Sequence, residues 1–305
     1  MVVGLKKVLS GSKLFQFIVN TIIFVFLLVE LYPIIYVVSC SFSNPEAVNA
    51  GKVLLGPVGF TLEGYQRVLE NGDIWIGYAN TIFYTVVGTL INLAVTLPCA
   101  YALSRKDLAG STYFMLFFMV TMYIGGGLIP NYLNVKSFGL LDTRAVMVIL
   151  GALSVYNMIV ARSFFSSSIP YEITEAARID GCDEFANFTK IVMPLSKAIV
   201  GVMVLYYGIG HWNSYFGALI YLNDRSKFPL QIFLREILLQ SKMLEQSMSN
   251  AMLSAEEIAY LEEIERQADL IKYCVIIVST LPMIIIYPKL QKYFEKGVMI
   301  GSVKG

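Results

Sequence analysis

The sequence LFQFIVNTIIFVFLLVELYPIIYVV, residues 14–38, is the first of several apolar stretches that decide the fold of this 305-residue chain. Its only charged side chain is that of Glu30. A helix of about 20 apolar residues is long enough to cross the hydrocarbon core of a bilayer. The stretch therefore predicts a transmembrane helix. Its length and the lack of a small-residue cleavage site favour a retained anchor over a signal peptide.

Five further apolar stretches have a similar length. They are residues 78–103, 112–133, 145–165, 198–222 and 271–290. Hydrophobic residues make up 56% of the chain and charged residues 15%, whereas soluble domains contain roughly 45–50% and 25%. The sequence therefore predicts an all-α, polytopic membrane protein with about six transmembrane helices.

The connecting segments differ in charge, and this predicts how the chain is oriented. Lysine and arginine outnumber acidic residues in one set of segments taken together, namely 1–13, 104–111, 162–197 and the C-terminal end. The other set, 42–77, 134–144 and 223–272, is acidic on balance. Cytoplasmic loops are the ones enriched in lysine and arginine. We therefore expect a multi-pass protein of the bacterial cell membrane with both termini in the cytoplasm.

This orientation divides the chain into parts with separate roles. Residues 1–13 form a cytoplasmic N-terminus, and residues 14–305 form one transmembrane domain. Within that domain we expect a cytoplasmic loop at 170–195, an outer loop at 223–270 and a cytoplasmic tail at 291–305.

Motifs for catalysis and for nucleotide binding are missing from the sequence. No G-x-x-x-x-G-K-[ST], H-E-x-x-H or G-x-S-x-G pattern occurs. His211 is the single histidine, and no two of the four cysteines form a C-x-x-C pair, so a metal site is not expected. No basic patch indicates nucleic acid. We predict no enzyme activity, no catalytic residue and no cofactor bound by this chain.

One polar stretch between the fourth and fifth apolar stretches carries a distinctive pattern. It reads PYEITEAARIDGCDEFANFTKIVMPL and covers residues 170–195. Pro170 suits the first turn of a helix, and Gly181 suits a left-handed helix end. Asp183 is suited to begin a second helix, and Pro194 to interrupt the chain before the fifth stretch. The pattern predicts a helix-turn-helix on the cytoplasmic membrane surface.

The order of residues in this stretch resembles the coupling-loop motif of binding-protein-dependent ABC importers. The matching positions are Glu175-Ala176-Ala177, Gly181, Ile191 and Met193-Pro194. The family usually has leucine where this chain has Met193. The segment Ala100-Tyr-Ala-Leu-Ser-Arg105 is similar to the end of the second span in carbohydrate-uptake permeases, such as the smaller maltose permease subunit. Trp212-Asn213 and the C-terminal sequence also resemble that group.

The resemblance implies a set of partners and a set of contact residues. The partners are a second homologous permease, two cytoplasmic ATPase subunits that bind ATP and Mg²⁺, an extracytoplasmic sugar-binding protein, and membrane lipid. The residues implied in ATPase coupling are Glu172, Glu175, Ala176, Ala177, Asp180, Gly181, Ile191 and Pro194.

Four side chains within the apolar stretches are candidates for the substrate pathway. They are Glu30, Trp212, Asn213 and Tyr215. Ionisable residues within spans usually face the interior of the bundle, and aromatic rings and amides suit sugar faces and hydroxyls. A structural hydrogen bond for Glu30, or an interfacial position for the aromatic residues, explains the same residue types.

The sequence is best interpreted as a permease that forms half of an import pathway for a sugar, and more specifically an oligosaccharide. An importer of an amino acid or a peptide, and a secondary transporter, remain alternatives. The absence of an internal repeat in the sequence argues against a secondary transporter. The sequence does not identify the sugar, because a separate binding protein largely sets the specificity.

Overall fold

The computed structural model describes residues 13–239, 268, 271–288 and 291. These residues are helical wherever they are regular, and no strand occurs among them, which confirms the all-α prediction. The residues before Lys13, predicted as a cytoplasmic N-terminus, most of the predicted outer loop and nearly all of the predicted cytoplasmic tail lie outside the described residues. The chain divides into two compact units, Met1–Asn71 with Glu236–Val278 and Gly72–Arg235 with Ser279–Gly305.

The first unit is built on one long apolar helix. Its helices are α1 (Lys13–Ser41), α2 (Pro45–Asn49) and α3 (Glu63–Glu70). Large apolar side chains are exposed along most of α1, as expected of a helix surrounded by lipid. The end of α1 is anchored within this unit, because Tyr65 donates a hydrogen bond to Ser41 Oγ over 2.8 Å. Cys274 Sγ also lies 3.3 Å from the Ser41 carbonyl oxygen.

The second unit contains most of the remaining helices. In chain order they are α4 (Gly72–Ser104), α5 (Ser111–Tyr123), α6 (Leu128–Ser137), α7 (Arg144–Ile149), α8 (Val155–Ser168), α9 (Tyr171–Ile179), α10 (Glu184–Ala186), a π-helical turn (Asn187–Val192), α11 (Met193–Leu195), α12 (Lys197–Trp212), α13 (Phe216–Tyr221), a 3₁₀ turn (Arg225–Lys227) and α14 (residues 230–239). Helix α14, which crosses the boundary at Glu236, and a last apolar helix, α15 (Ile271–Pro288), contribute residues to both units.

Three of the described helices are long and apolar enough to cross a membrane on their own, namely Phe15–Ser41, Gly72–Ser104 and Ile271–Pro288. Two pairs of helices reach that length only if each bent pair is taken as one span. The α5–α6 pair is bent by 112°, and the segments Glu184–Leu195 and Lys197–Trp212 are bent by 84°. The count of six spans therefore stays a prediction.

The third, fourth and fifth apolar stretches are not continuous helices. The third is interrupted between Tyr123 and Leu128, where Gly127 has a φ of 83° in the left-handed region. The fourth separates into α7 and α8 around Gly151, with a φ of 80°. The fifth is interrupted between Trp212 and Phe216. Each interruption frees backbone groups that must find partners in an apolar environment.

Helix α4 supplies those partners for the fourth stretch. The Asn92 side-chain amide donates hydrogen bonds to the carbonyls of Gly151 and Ala152 over 3.0 and 2.9 Å. Its Oδ1 lies 2.7 Å from Nε2 of His211 on α12. Asn92 is buried, so one amide joins α4, the interrupted fourth stretch and α12.

A second bridge lies one turn further along α4. The hydroxyls of Thr96 and Tyr207 are 2.6 Å apart. The Tyr207 hydroxyl also accepts a hydrogen bond from the Ser154 backbone N–H over 3.2 Å. This N–H lies at the start of α8, where helices leave donors unpaired.

The apolar side chains of the second unit form two buried clusters along α4. The inner cluster contains Leu97, Ala100, Tyr101, Leu103, Met115, Met158, Ala161, Phe165, Val192, Ile199, Met203 and Tyr207. The outer cluster contains Tyr84, Val135, Val146, Met147, Val148, Ala218, Tyr221, Leu222 and Ile232. Between them Gly88 leaves room for His211, because a Cβ there would lie 2.5 Å from its Nε2.

The outer half of α4 also holds the segment that follows α13. The Asn80 amide donates to the carbonyls of Ser226 and Phe228, and the Tyr84 hydroxyl donates to that of Lys227 over 2.7 Å. Asp142, with a φ of 53°, accepts the backbone N–H groups of Asn223 and Asp224. These two N–H bonds hold the pKa of Asp142 below its ordinary value.

We predict that Asn92→Ala weakens the folded protein more than Asn134→Ala, its matched control at an exposed position of α6. The first change removes the donor to the part-buried carbonyls of Gly151 and Ala152, and a polar group left unpaired away from water costs about 1–3 kcal/mol. The measurement is the midpoint of thermal unfolding of the purified protein in detergent. Equal midpoints for the two variants would contradict the role assigned to Asn92.

Candidate functional site

Helix α9 is defined at both ends by the residues that the sequence singled out. It follows Pro170, and Glu172 lies in its first turn. At its end Gly181 has a φ of 78°, and its N–H donates to the Arg178 carbonyl over 3.1 Å. The N–H of Cys182 donates to the Ala177 carbonyl over 2.9 Å. This pair of bonds is the Schellman helix end, which favours glycine at this position.

The two faces of α9 have different surroundings. Glu172, Glu175 and Ala176 are exposed, and Ile179 on the same face is 86% exposed. Their spacing of three and four residues places them on one side of the helix. Thr174 and Ala177 on the opposite side are buried within the chain. Ala177, which the resemblance implies in ATPase coupling, therefore packs against this protein and lies away from the exposed face.

The second half of the predicted helix-turn-helix begins where the sequence indicated. Asp183 Oδ1 accepts the Ala186 N–H over 2.7 Å and so caps the helix. The helical segment then continues through the π-helical turn and past Pro194 as far as Leu195. The 84° bend follows at Ser196, two residues later than predicted. Ile191 is half-buried, and Asp180, Gly181 and Pro194 are exposed.

A cluster of four charged side chains joins this loop to the end of α4. Arg105 donates two hydrogen bonds to Asp107, over 2.8 and 2.7 Å. Its Nη1 lies 3.0 Å from the Tyr101 hydroxyl and 3.2 Å from Glu184 Oε2. Arg178 on α9 pairs with Asp107 and Glu184, over 3.0 and 2.6 Å. We call Arg105, Asp107, Arg178 and Glu184 the inner charge cluster.

Aromatic rings enclose the guanidinium of Arg105. Its central carbon lies 5.8 Å from the ring centre of Tyr101 and 5.9 Å from that of Tyr171. The Tyr101 hydroxyl also accepts a hydrogen bond from the buried Asn187 amide over 3.1 Å. The Arg105 side chain is only 10% exposed. A bidentate arginine in such surroundings interacts more strongly than an exposed surface pair.

The charges in this cluster perturb each other. Arg105 first, and Arg178 next, hold the pKa of Asp107 well below its usual range. The hydrogen bonds to Asp107 in turn raise the pKa of Arg105. Opposite charges at hydrogen-bond distance favour the ionised form of each partner. Arg105, Asp107 and Arg178 are therefore charged at neutral pH.

The interruption in the fifth apolar stretch brings a different set of groups to the surface. Asn213 ends α12 and is exposed, and Tyr215 is exposed two residues later. The guanidinium carbon of Arg235 lies 5.4 Å from the Tyr215 ring centre. No carboxylate among the described residues forms a salt bridge with Arg235. An amide, an aromatic ring and a cation therefore lie near the interruption.

Two other candidate pathway residues are placed differently. Trp212 is buried, and its indole N–H donates to the Ser279 carbonyl over 3.1 Å. Its ring also meets that of Tyr78 edge-on, so its side chain holds helices of the second unit together. Glu30 is exposed on α1 and makes no hydrogen bond to another described residue. The structure therefore does not place Glu30 in the interior of its own unit.

Sequence reasoning missed several residues of this site. Arg105 binds Glu184, 79 positions away, and shares Asp107 with the distant Arg178, and no local pattern reveals these contacts. Ile179 and Phe185 are 86% and 77% exposed, and large apolar residues in an otherwise polar loop were a signal that could have been used. Among the described residues, no group of His, Cys, Asp and Glu side chains could hold a metal ion.

Comparisons with known proteins agree with this geometry. The chain is 36% identical over 294 residues to the polygalacturonan/rhamnogalacturonan transport system permease protein YtcP of Bacillus subtilis, which covers 96% of this chain and 99% of the relative. It is 36% identical over 280 residues to protein LplC of the same organism, covering 91% and 90%.

A solved structure is also similar. It belongs to a bacterial ABC transporter involved in the import of the acidic polysaccharide alginate. The TM-score is 0.81 at 35% identity, and the match covers 93% of this chain and 97% of that one. A family model matches residues 74–300. The chain belongs to the family of binding-protein-dependent transport system inner membrane components.

Proposed function

We propose that this protein is one permease subunit of an ABC importer that carries acidic oligosaccharides across the cell membrane. The observation that carries the proposal is helix α9, which exposes one face while its opposite face is fixed to the rest of the chain. Such a helix is suited to receive a partner without losing its own position. Membership of the importer family gives that partner a chemical identity, an ATPase.

The exposed face of α9 is the proposed ATPase contact. Glu172 and Glu175 offer negative charge, Ala176 allows close approach, and Ile179 offers apolar area. Buried apolar contacts contribute most of the affinity in protein interfaces, and charged groups at the rim mainly guide association. Phe185, exposed on the following segment, extends this surface. Asp180 and Gly181 end α9 and thereby set the direction in which the chain continues from it.

The remaining partners follow from what the chain lacks. It has no P-loop, so ATP and Mg²⁺ are proposed to bind to two separate ATPase subunits. A second permease subunit would complete the pathway, and an extracytoplasmic binding protein would deliver the substrate. The turn at 105–107 and the loop at 171–184 meet in the inner charge cluster, which supports placing both on the same, cytoplasmic side.

The proposed substrate class rests on charge. The names of two similar proteins refer to polygalacturonan and to the acidic polysaccharide alginate, and sugar acids carry carboxylates at neutral pH. Arg235 is a cation without a carboxylate partner among the described residues, and it lies over the exposed ring of Tyr215. Guanidinium groups bind carboxylates in a bidentate manner, and aromatic rings suit the apolar faces of sugars.

Not all the pathway candidates fit an acidic substrate equally. Asn213, Tyr215 and Arg235 supply an amide, a ring and a positive charge. Glu30 would repel a carboxylate if it lay on the same path, and the Trp212 indole N–H is already bonded to Ser279. We therefore retain Asn213 and Tyr215, add Arg235, and assign Trp212 a packing role.

We predict that Ala176→Arg separates the permease from its ATPase. The substitution places a bulky cation on the exposed face of α9 without disturbing the core of this chain. ATPase that co-purifies with the tagged permease should fall by about tenfold or more, and uptake should fall with it. Lys190→Gln, at an exposed position outside that face, serves as the control. Normal co-purification and uptake by Ala176→Arg would contradict the proposed contact.

We predict that Arg235→Gln lowers uptake of a radiolabelled oligogalacturonate at limiting concentration by about tenfold, because a charge-assisted contact is lost. Lys136→Gln removes an exposed cation from α6 and should leave uptake unchanged. Uptake by Arg235→Gln at the unsubstituted rate would remove Arg235 from the pathway. Preference of the unsubstituted transporter for neutral oligosaccharides would contradict the acidic class itself.

A further inference from the structure

The segment Ala100–Arg105 has no role in the function described so far, although the sequence singled it out. It ends α4, the helix that contacts both apolar clusters of the second unit. Ala100, Tyr101 and Leu103 are buried in the inner cluster. Arg105 follows directly and turns toward the coupling loop. The segment therefore links the membrane part of the unit to the surface proposed to bind the ATPase.

The guanidinium of Arg105 uses each of its three nitrogens for this link. Nε and Nη2 bind Asp107, and Nη1 binds the Tyr101 hydroxyl and Glu184. The two aromatic rings beside the Arg105 guanidinium come from different helices, Tyr101 from α4 and Tyr171 from α9. One side chain thus touches α4, the 105–107 turn, α9 and the start of α10.

The other charged members of the inner charge cluster also contact one another. Arg178 on α9 reaches Asp107 and Glu184, the same two carboxylates that Arg105 binds. The two cations and two anions balance, so none of the four charges remains uncompensated. A displacement of α9 relative to α4 would have to break several charge-assisted bonds together.

Two further hydrogen bonds hold the end of α4 to the neighbouring segments. Arg162 of α8 donates to the Leu103 carbonyl at the end of α4 over 2.9 Å, and the buried Asn187 amide donates to the Tyr101 hydroxyl. The last carbonyls of a helix have no partner within it and favour a cation. The end of α4 is thus held by α8, by the turn and by the coupling loop.

We infer that Arg105 is a positioning residue that makes the coupling loop and α4 move as one body. It does so through Tyr101, Asp107, Arg178 and Glu184, so that displacement of α9 by the ATPase moves α4. The inference rests on the proposed function, because it assumes that the ATPase acts on α9. It assigns to the Ala100–Arg105 segment the transmission of that movement.

The geometry gives this movement a path to the interior of the unit. Helix α4 carries Asn92 and Thr96, which hold the interrupted fourth stretch and Tyr207 of α12. A shift of α4 therefore changes the position of both stretches. Arg105 itself touches neither of them, so its role is mechanical and requires no contact with substrate.

The test uses the whole transporter reconstituted in proteoliposomes with its binding protein. We compare Arg105→Gln, Arg105→Lys and, as a matched control, Lys106→Gln, which removes the neighbouring exposed cation. ATP hydrolysis and substrate uptake are measured on the same preparation. Their ratio reports coupling, and a purely structural role would not change it. Co-purification of the ATPase reports assembly.

Arg105→Gln is expected to keep the ATPase bound and hydrolysing while substrate transported per ATP falls by about tenfold, within the usual range of coupling between sites. Arg105→Lys should recover part of the ratio, because lysine keeps the charge but loses the bidentate geometry. Lys106→Gln should match the unsubstituted transporter.

Three results would overturn the inference. They are an unchanged ratio in Arg105→Gln, an equal loss in Lys106→Gln, and loss of the ATPase from Arg105→Gln, which would assign the residue to docking alone.

The unsubstituted complex distinguishes failure of this inference from failure of the proposed function. If that complex itself does not couple ATP hydrolysis to uptake, the function is wrong. If it does and Arg105→Gln does too, only the inference is wrong.

Discussion

The Asn92 side chain satisfies the backbone where the fourth apolar stretch is interrupted, and the rest of the second unit depends on that interaction. Water is not available in the hydrocarbon region, so each carbonyl freed by an interrupted helix must find a protein donor. The Asn92 amide supplies two donors to Gly151 and Ala152 and turns its oxygen toward His211. An interruption that would otherwise be costly thereby becomes a fixed joint between α4, α8 and α12.

Helix α4 also carries or precedes the side chains that hold other segments near each of its two ends. Near its outer end Asn80 and Tyr84 hold the carbonyls of the segment after α13. Beyond its inner end Arg105 and its partners hold the coupling loop. The helix contains Pro98 between Asn92 and Tyr101, and proline removes one backbone hydrogen bond. Pro98 itself is exposed, but Leu97 and Ala100 beside it are buried in the inner cluster, and the helix remains a single element through this position.

The sequence predicted the class of fold and the outline of the coupling loop because both depend on local properties. Apolar length indicates a membrane helix wherever it occurs, and Gly181 and Asp183 act on the backbone within a few residues of their own position. The interruptions at Gly151 and at Asn213 were missed, since an apolar stretch has the same composition whether or not its helix is continuous. Trp212 was assigned to the substrate pathway and Ala177 to ATPase coupling, and residue type alone does not reveal that both side chains are buried within the chain. The inner charge cluster was missed for a related reason, as its members are distant in sequence and meet only after folding.

The central claim is that α9 and α4 form one body through the inner charge cluster. It is tested most directly by the distance between spin labels at Cys182, which follows α9 outside the proposed ATPase contact and is partly exposed, and at Val95, an exposed position on α4. The labels are placed in an otherwise cysteine-free chain within the complete transporter. The distance is measured by double electron–electron resonance, first without nucleotide and then with ATP trapped. We predict the same narrow distance distribution in both states, and a broadened one after Arg105→Gln. A shift between the two states with Arg105 in place would contradict the account.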